Sequence, residues 1–170
     1  CFQAFPEMPT WKFHYFSQKD GLSNTFVSCW AQDSIGFVWV GTVNGLNRYD
    51  GQRFKPYMAN REDTTMLPHQ HISHLYVMPN GKVWVFTKLG IVTYDRGHDH
   101  FEKVNIENGN DKVNFEVSHV DTDNDGNLFV SKGNELYKYH PEDNYLRLYA
   151  TLPEGSISRF IFDAQNGLWI

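Results

Sequence analysis

A block that opens on an apolar residue followed by Ser, and reaches an aromatic twelve residues after its start, occurs four times along the chain. No other property of the sequence narrows the possible folds so far, because a fixed period dictates a repeated supersecondary unit. The copies are VSCWAQDSIGFVWVGT from Val27, ISHLYVMPNGKVWVFT from Ile72, VSHVDTDNDGNLFVSK from Val117 and ISRFIFDAQNGLWI from Ile157. Their starts lie 45, 45 and 40 residues apart. The aromatics are Trp39, Trp84, Phe129 and Trp169, and the serines are Ser28, Ser73, Ser118 and Ser158. In the first three copies GLNRYD, GIVTYD and ELYKYH follow, then a variable polar turn, then an aromatic at Phe54, Phe101 or Tyr145. Each complete copy is thus four short runs separated by turn signals. A period of about 40–45 residues built this way is that of one propeller blade.

The expected fold is all-β: a β-propeller fragment of four-stranded antiparallel blades, three complete and a fourth begun. Blades are placed at 22–57, 67–104 and 112–149, with the fourth starting in 156–170. The segment 1–21 precedes them, and TWKFHYFS at 10–17 reads as an extra strand of the kind that closes a ring. Seven glycines follow Asn or Asp, the pairing that suits type I′ hairpin turns, in which both central residues take positive φ. A four-stranded blade cannot bury both faces alone, so Trp39, Trp84, Phe129 and Trp169 are expected to be core residues packed between blades.

Composition excludes several classes. The net charge is −5 and no Lys/Arg block appears, which argues against nucleic acid as a partner. No apolar run approaches the roughly 20 residues that cross a bilayer as a helix. Two cysteines, Cys1 and Cys29, are too few for a disulfide framework and lack zinc spacing. Cys29 reads as a buried thiol; Cys1 reads as a signal-peptide remnant, a lipid-attachment site or the cut end of a longer chain.

Residues 21–57 resemble the two-component regulator propeller repeat. The matching positions are Gly21, Leu22, Ser23, Asp33, Gly36, Trp39, Gly41, Thr42, Gly45, Leu46, Arg48, Tyr49, Asp50, Gly51 and Phe54. The second copy has Met78 in place of the leading Asp, the third has Phe129 in place of Trp, and the fourth has Asn166 in place of Gly. The resemblance implies the extracytoplasmic, periplasmic sensor region of a bacterial hybrid two-component histidine kinase of Bacteroidetes type. It further implies an oligosaccharide or other small ligand, no cofactor, homodimerisation in the full receptor, further blades and domains on the same polypeptide, and attachment to the inner membrane through parts beyond this chain. A propeller enzyme acting on glycans and a protein-interaction scaffold are the alternatives.

In a propeller, the segments joining blades share one face with the turns between second and third strands. On that basis Asn44, Arg61, His69, His71, Lys88, Asn114, Asn134 and Arg159 are candidate ligand contacts. An exposed aromatic would also suit a sugar; Trp11 and Trp30 are available, but strand or core packing is expected for both. Asp121, Asp123 and Asp125 open a DxDxDG calcium-loop pattern, but its twelfth position is Lys132, so an acidic hairpin turn is the stronger reading and no metal site is assigned. His69, His71 and His74 in PHQHISH read as a metal cluster, as ligand contacts or as ordinary histidines. His74, His119, Arg159 and Cys29 share one repeat position, expected on the innermost strands. No catalytic set stands out: Glu116, Asp121, Glu62 and Asp63 form no recognisable glycosidase pair.

Overall fold

The structure is a computed structural model and describes residues 12–60, 62–107 and 116–170. Its strands are all antiparallel within blades. β1 (Val27–Gln32), β2 (Val38–Thr42), β3 (Gly45–Tyr49) and β4 (Phe54–Tyr57) form the first sheet in sequence order. β5 (Ile72–Val77), β6 (Val83–Thr87), β7 (Gly90–Asp95) and β8 (His100–Ile106) form the second, and β9 (His119–Thr122), β10 (Leu128–Lys132), β11 (Glu135–His140) and β12 (Tyr145–Thr151) the third. β13 (Ile161–Phe162) pairs with β14 (Leu168–Trp169). The chain is a fragment of a β-propeller. One feature departs from separate four-stranded blades: the outer strands β8 and β12 pair in parallel at Asn105 with Tyr145 and Ile106 with Leu146, fusing the second and third sheets at their rim.

In the first two copies the repeated serine marks a β-bulge. The β1–β2 register shifts between Val27 and Cys29, and the β5–β6 register shifts between Ile72 and His74. A bulge leaves a ladder carbonyl without its partner. Ser28 Oγ supplies a donor to Gly41 O at 3.1 Å and reaches Ile72 O of the next blade at 2.5 Å; Ser73 Oγ donates to Phe86 O at 3.2 Å. Gly41 is required for a different reason: a Cβ there would lie 2.5 Å from Cys29 Sγ and 2.8 Å from an Ile72 methyl. Burial pushes the Cys29 thiol up to about 11, the behaviour of an inert core cysteine.

The hairpins are not of type I′. At Asn44-Gly45, Asn80-Gly81 and Asp125-Gly126 only the glycine has positive φ. The turns between first and second strands span one residue more than I′ allows. Gly36 N, Gly81 N, Gly126 N and Asn166 N each donate to the carbonyl three residues back, with the left-handed residue closing the turn. Asn166 holds φ 61 where the other copies use Gly, because Asn tolerates that region better than other side-chain-bearing residues. Asp33 organises its turn. Its Oδ1 accepts from Ile35 N and Phe37 N at 3.1 and 3.0 Å, and its Oδ2 accepts from Trp39 Nε1 at 3.0 Å. Asp163 repeats this with Gln165 N, Gly167 N and Trp169 Nε1. Asp123 hooks Asp125 N and Asn127 N in the third copy.

The blades stack through aromatics. Trp39 meets Tyr94 of the second sheet at 4.7 Å between ring centroids, Trp84 meets Tyr139 of the third at 4.6 Å, and Phe129 meets Phe162 of the fourth at 4.8 Å. All three repeat aromatics are buried. Trp169 is not: it is 64% exposed, because no later sheet of this chain lies over it. Trp30 is likewise exposed, at 72%, since no sheet among the described residues covers the outward side of the first blade. The described part of the 10–17 segment, residues 12–17, joins no sheet; Phe16 packs its ring against Tyr49 and Phe54 instead.

A polar network explains the GLS and GLN elements of the first copy. Ser23 N donates to Asn47 Oδ1 and Asn47 Nδ2 donates to Ser23 Oγ, both at 2.8 Å. Thr42 Oγ1 caps the β2–β3 turn by donating to Gly45 O and accepting from Asn44 N. Thr87 does the same for Gly90 and Leu89.

Candidate functional site

Main-chain hydrogen bonds bring the segments between blades onto the β2–β3-type turns. Gly45 N donates to Gln70 O, Lys88 N to His71 O, Leu152 N to Asn134 O and Ile157 N to Gly133 O. These contacts define one face. On it, between the second and third blades, lies a cleft of about 250 Å³ lined by His71, Ser73, Thr87, Lys88, Glu116 and Val117. Ser73 and Thr87 sit there because the bulge and the turn cap place their hydroxyls at the strand ends. Val117 is buried and forms part of the wall. The lining offers an imidazole, an ammonium and a carboxylate around hydroxyls, a donor and acceptor mixture suited to a polyhydroxylated or zwitterionic ligand of modest size.

The sequence-derived candidates divide into three groups. His71 and Lys88 come together in the cleft. Asn44, His69, Asn134 and Arg159 lie outside it. Asn134 is engaged with its own blade, donating from Nδ2 to Leu152 O at 2.8 Å, and His69 Nδ1 accepts from His71 N at 3.0 Å. Arg61, Asn114 and Trp11 lie outside the described residues. Ser73, Thr87, Glu116 and Val117 line the cleft beyond the sequence-derived candidates. Ser73 and Thr87 carry a signal, since both are repeat positions that abut the expected ligand face; Glu116 and Val117 carry none.

The acidic run forms a hairpin turn. Asp123 directs Oδ1 to its own turn amides and Oδ2 to Asn127 Nδ2 at 2.7 Å, and Asp125 Oδ2 accepts from Asn166 Nδ2 of the next copy at 3.0 Å. Asp121 Oδ1 accepts from Thr122 N. The carboxylates are spent on turn and inter-blade bonds rather than converging on one point.

On the inner strands His74 and His119 stand at equivalent positions of the second and third blades. Burial, and then the neighbouring His119 charge, hold the His74 imidazole below its ordinary value; its Nδ1 is buried without a partner. For His119, burial lowers the value, Asp121 opposes this and Arg159 reinforces it. A histidine whose native value is depressed binds its proton more readily in the unfolded chain. Its contribution to stability is therefore complete above about 6.5 and is lost as pH falls below that. The urea midpoint is expected to drop between pH 7.5 and pH 5.5, and to drop less in His74→Gln. The His98 value is shifted upward and acts in the opposite sense, but it is common to both proteins and cancels in the comparison. Equal drops in the two proteins would show that His74 contributes nothing.

Comparison with known proteins adds three findings. The family model for the two component regulator propeller matches residues 21–44. The histidine kinase P4 of Formosa agariphila is 49% identical over 55 residues, which is 32% of this chain and 4% of that protein. Among solved structures, the extracellular domain assigned to a hybrid two component system of B. thetaiotaomicron superposes with a TM-score of 0.73 at 20% identity, covering 87% of this chain and 22% of that one. Virginiamycin B lyase of Staphylococcus aureus superposes with a TM-score of 0.64 at 15% identity, covering 85% of this chain and 48% of the lyase. The chain therefore spans less than half of each of these relatives. At such identities the superpositions establish the propeller fold. Among the described residues, no helix is long and apolar enough to cross a membrane.

Proposed function

We propose that this chain, whose first blade carries a two-component regulator propeller repeat, is part of the extracytoplasmic sensing propeller of a hybrid two-component system and that its ligand is an oligosaccharide. The observation that carries the reading is the cleft between the second and third blades. Its polar groups sit on the face where blade connections gather, where Lys88 N donates to His71 O. A saccharide presents hydroxyls that both donate and accept. Ser73 and Glu116 oxygens are acceptors for them, and Lys88 Nζ is a donor, while the buried Thr87 hydroxyl serves its own turn. The relatives fit the same role: one is described as a histidine kinase and another as the extracellular domain of a two component system. Signalling follows from differential affinity. A ligand that bridges two blades shifts the receptor toward whichever arrangement it binds more tightly, and only by that difference. The remaining blades, a homodimeric receptor and anchorage in the inner membrane belong to the same proposal.

The test is calorimetric titration of the purified protein with a panel of oligosaccharides. One class is expected to bind, and Lys88→Ala combined with His71→Ala is expected to weaken it about tenfold or more. Binding that is unchanged in the double variant would move the site elsewhere. Turnover of a saccharide or of another substrate would favour a propeller enzyme, with His74, His119 and Arg159 as the groups to mutate first. Capture of a protein partner with no sugar affinity would favour a scaffold.

A further inference from the structure

The hairpin between β7 and β8 carries a cluster that the ligand cleft does not use. Asp95 ends β7, His100 begins β8, and His98 lies in the turn between them. One ligand atom from each of the three lies within 4.8 Å of the others. His98 Nδ1 is 2.6 Å from Asp95 Oδ2, and His100 Nε2 is 3.9 Å from the same oxygen. An ion about 2.0–2.2 Å from each of three tetrahedral ligands sets those ligands roughly 3.3 Å apart. The observed separations bracket that spacing, so modest side-chain rotations convert the cluster into a coordination site. Among the described residues, no other set of three histidine, cysteine or acidic side chains converges in this way.

We propose that Asp95, His98 and His100 bind a divalent transition ion of the zinc class. Two imidazole nitrogens and one carboxylate oxygen favour zinc, copper or nickel over calcium and magnesium, which want mainly oxygen. The carboxylate is already oriented. Gly97 N donates to Asp95 Oδ1 at 2.8 Å, which leaves Oδ2 facing the rings. A hydrogen-bonded outer shell of this kind is what fixes a ligand for a metal. The turn itself is fastened to the first blade at two points. Arg96 Nη2 lies 3.2 Å from Asp33 Oδ2. Asp99, held at φ 56 between the two histidines, accepts from Tyr57 at 2.7 Å and from Tyr94 at 2.6 Å and pairs with Lys55. His98 is exposed, leaving the open side of the site for water as a fourth ligand.

Calorimetric titration of the tag-free protein with zinc chloride tests this. One zinc ion per chain is expected, with affinity falling about tenfold or more in His98→Ala/His100→Ala and in Asp95→Asn. His140→Ala, which removes a histidine paired with Glu142 elsewhere, is expected to leave binding unchanged. If the double histidine variant does not fold, Asp95→Asn decides, because it keeps both rings and an oxygen for Gly97 N. Absence of zinc binding up to millimolar concentration, or wild-type affinity in Asp95→Asn together with wild-type affinity in any folded double variant, would overturn the assignment.

Discussion

Trp39→Ala is expected to cost about 3–5 kcal/mol of folding stability, and Trp169→Ala about 0.5 kcal/mol or less, although the two residues occupy the same repeat position. Trp39 has no exposed surface, and its ring lies against Tyr57 at 5.8 Å and Tyr94 at 4.7 Å. Its removal opens a cavity between two blades that the flanking strands, tied in both ladders, cannot collapse to fill. Trp169 is 64% exposed and contributes chiefly its indole N–H to Asp163 at 2.8 Å. Urea unfolding of the two variants, followed by far-ultraviolet circular dichroism, separates these cases. Comparable losses at both positions would mean that stability does not come from inter-blade aromatic packing.

The same pair shows what the sequence was able to convey. Twelve-residue spacing from an apolar start to an aromatic fixes which strand carries the core side chain, and the blade order follows from it. Periodicity cannot say whether a next sheet covers that side chain, so Trp169, expected in the core, is exposed, and so is Trp30, expected in strand or core packing and found on β1. The left-handed position was legible as Gly36, Gly81 and Gly126, but the turn type was not. Asn-Gly suits both a two-residue type I′ loop and the longer turn seen here, and the choice is made by the strand register. The cleft was legible only in part. His71 and Lys88 followed from the rule about which loops share a face, whereas Glu116 and Val117 join the site through the approach of a neighbouring blade, which no local pattern encodes. The histidine and aspartate cluster at 95–100 has no signature in the sequence, because hairpin turns are polar in any case and its meaning lies in distances rather than in spacing.

Asp33→Ala is expected to destabilise the protein by about 2–4 kcal/mol, out of proportion to the loss of one short side chain. The carboxylate has no exposed surface and serves four donors: two turn amides, the Trp39 indole and the Arg96 guanidinium. Truncation leaves the indole N–H buried without an acceptor and frees the turn that sets the β1–β2 register. Asp33→Asn resolves which half matters. It retains an oxygen for the amides but turns a donor toward Trp39 and Arg96, so a cost near that of alanine assigns the energy to the indole and guanidinium bonds, and a cost near zero assigns it to the turn. The second blade shows how the hook is dispensed with. Met78 stands in the aspartate position, Pro79 presets the turn that Gly81 N closes onto Met78 O at 2.8 Å, and Met78 packs against the core. The Trp84 indole N–H is left buried with no partner there. The turn function has been replaced and the indole function has not, so the two are separable in the native sequence. A loss below about 1 kcal/mol in Asp33→Ala, measured by urea unfolding, would mean that the first blade too can do without its buried carboxylate.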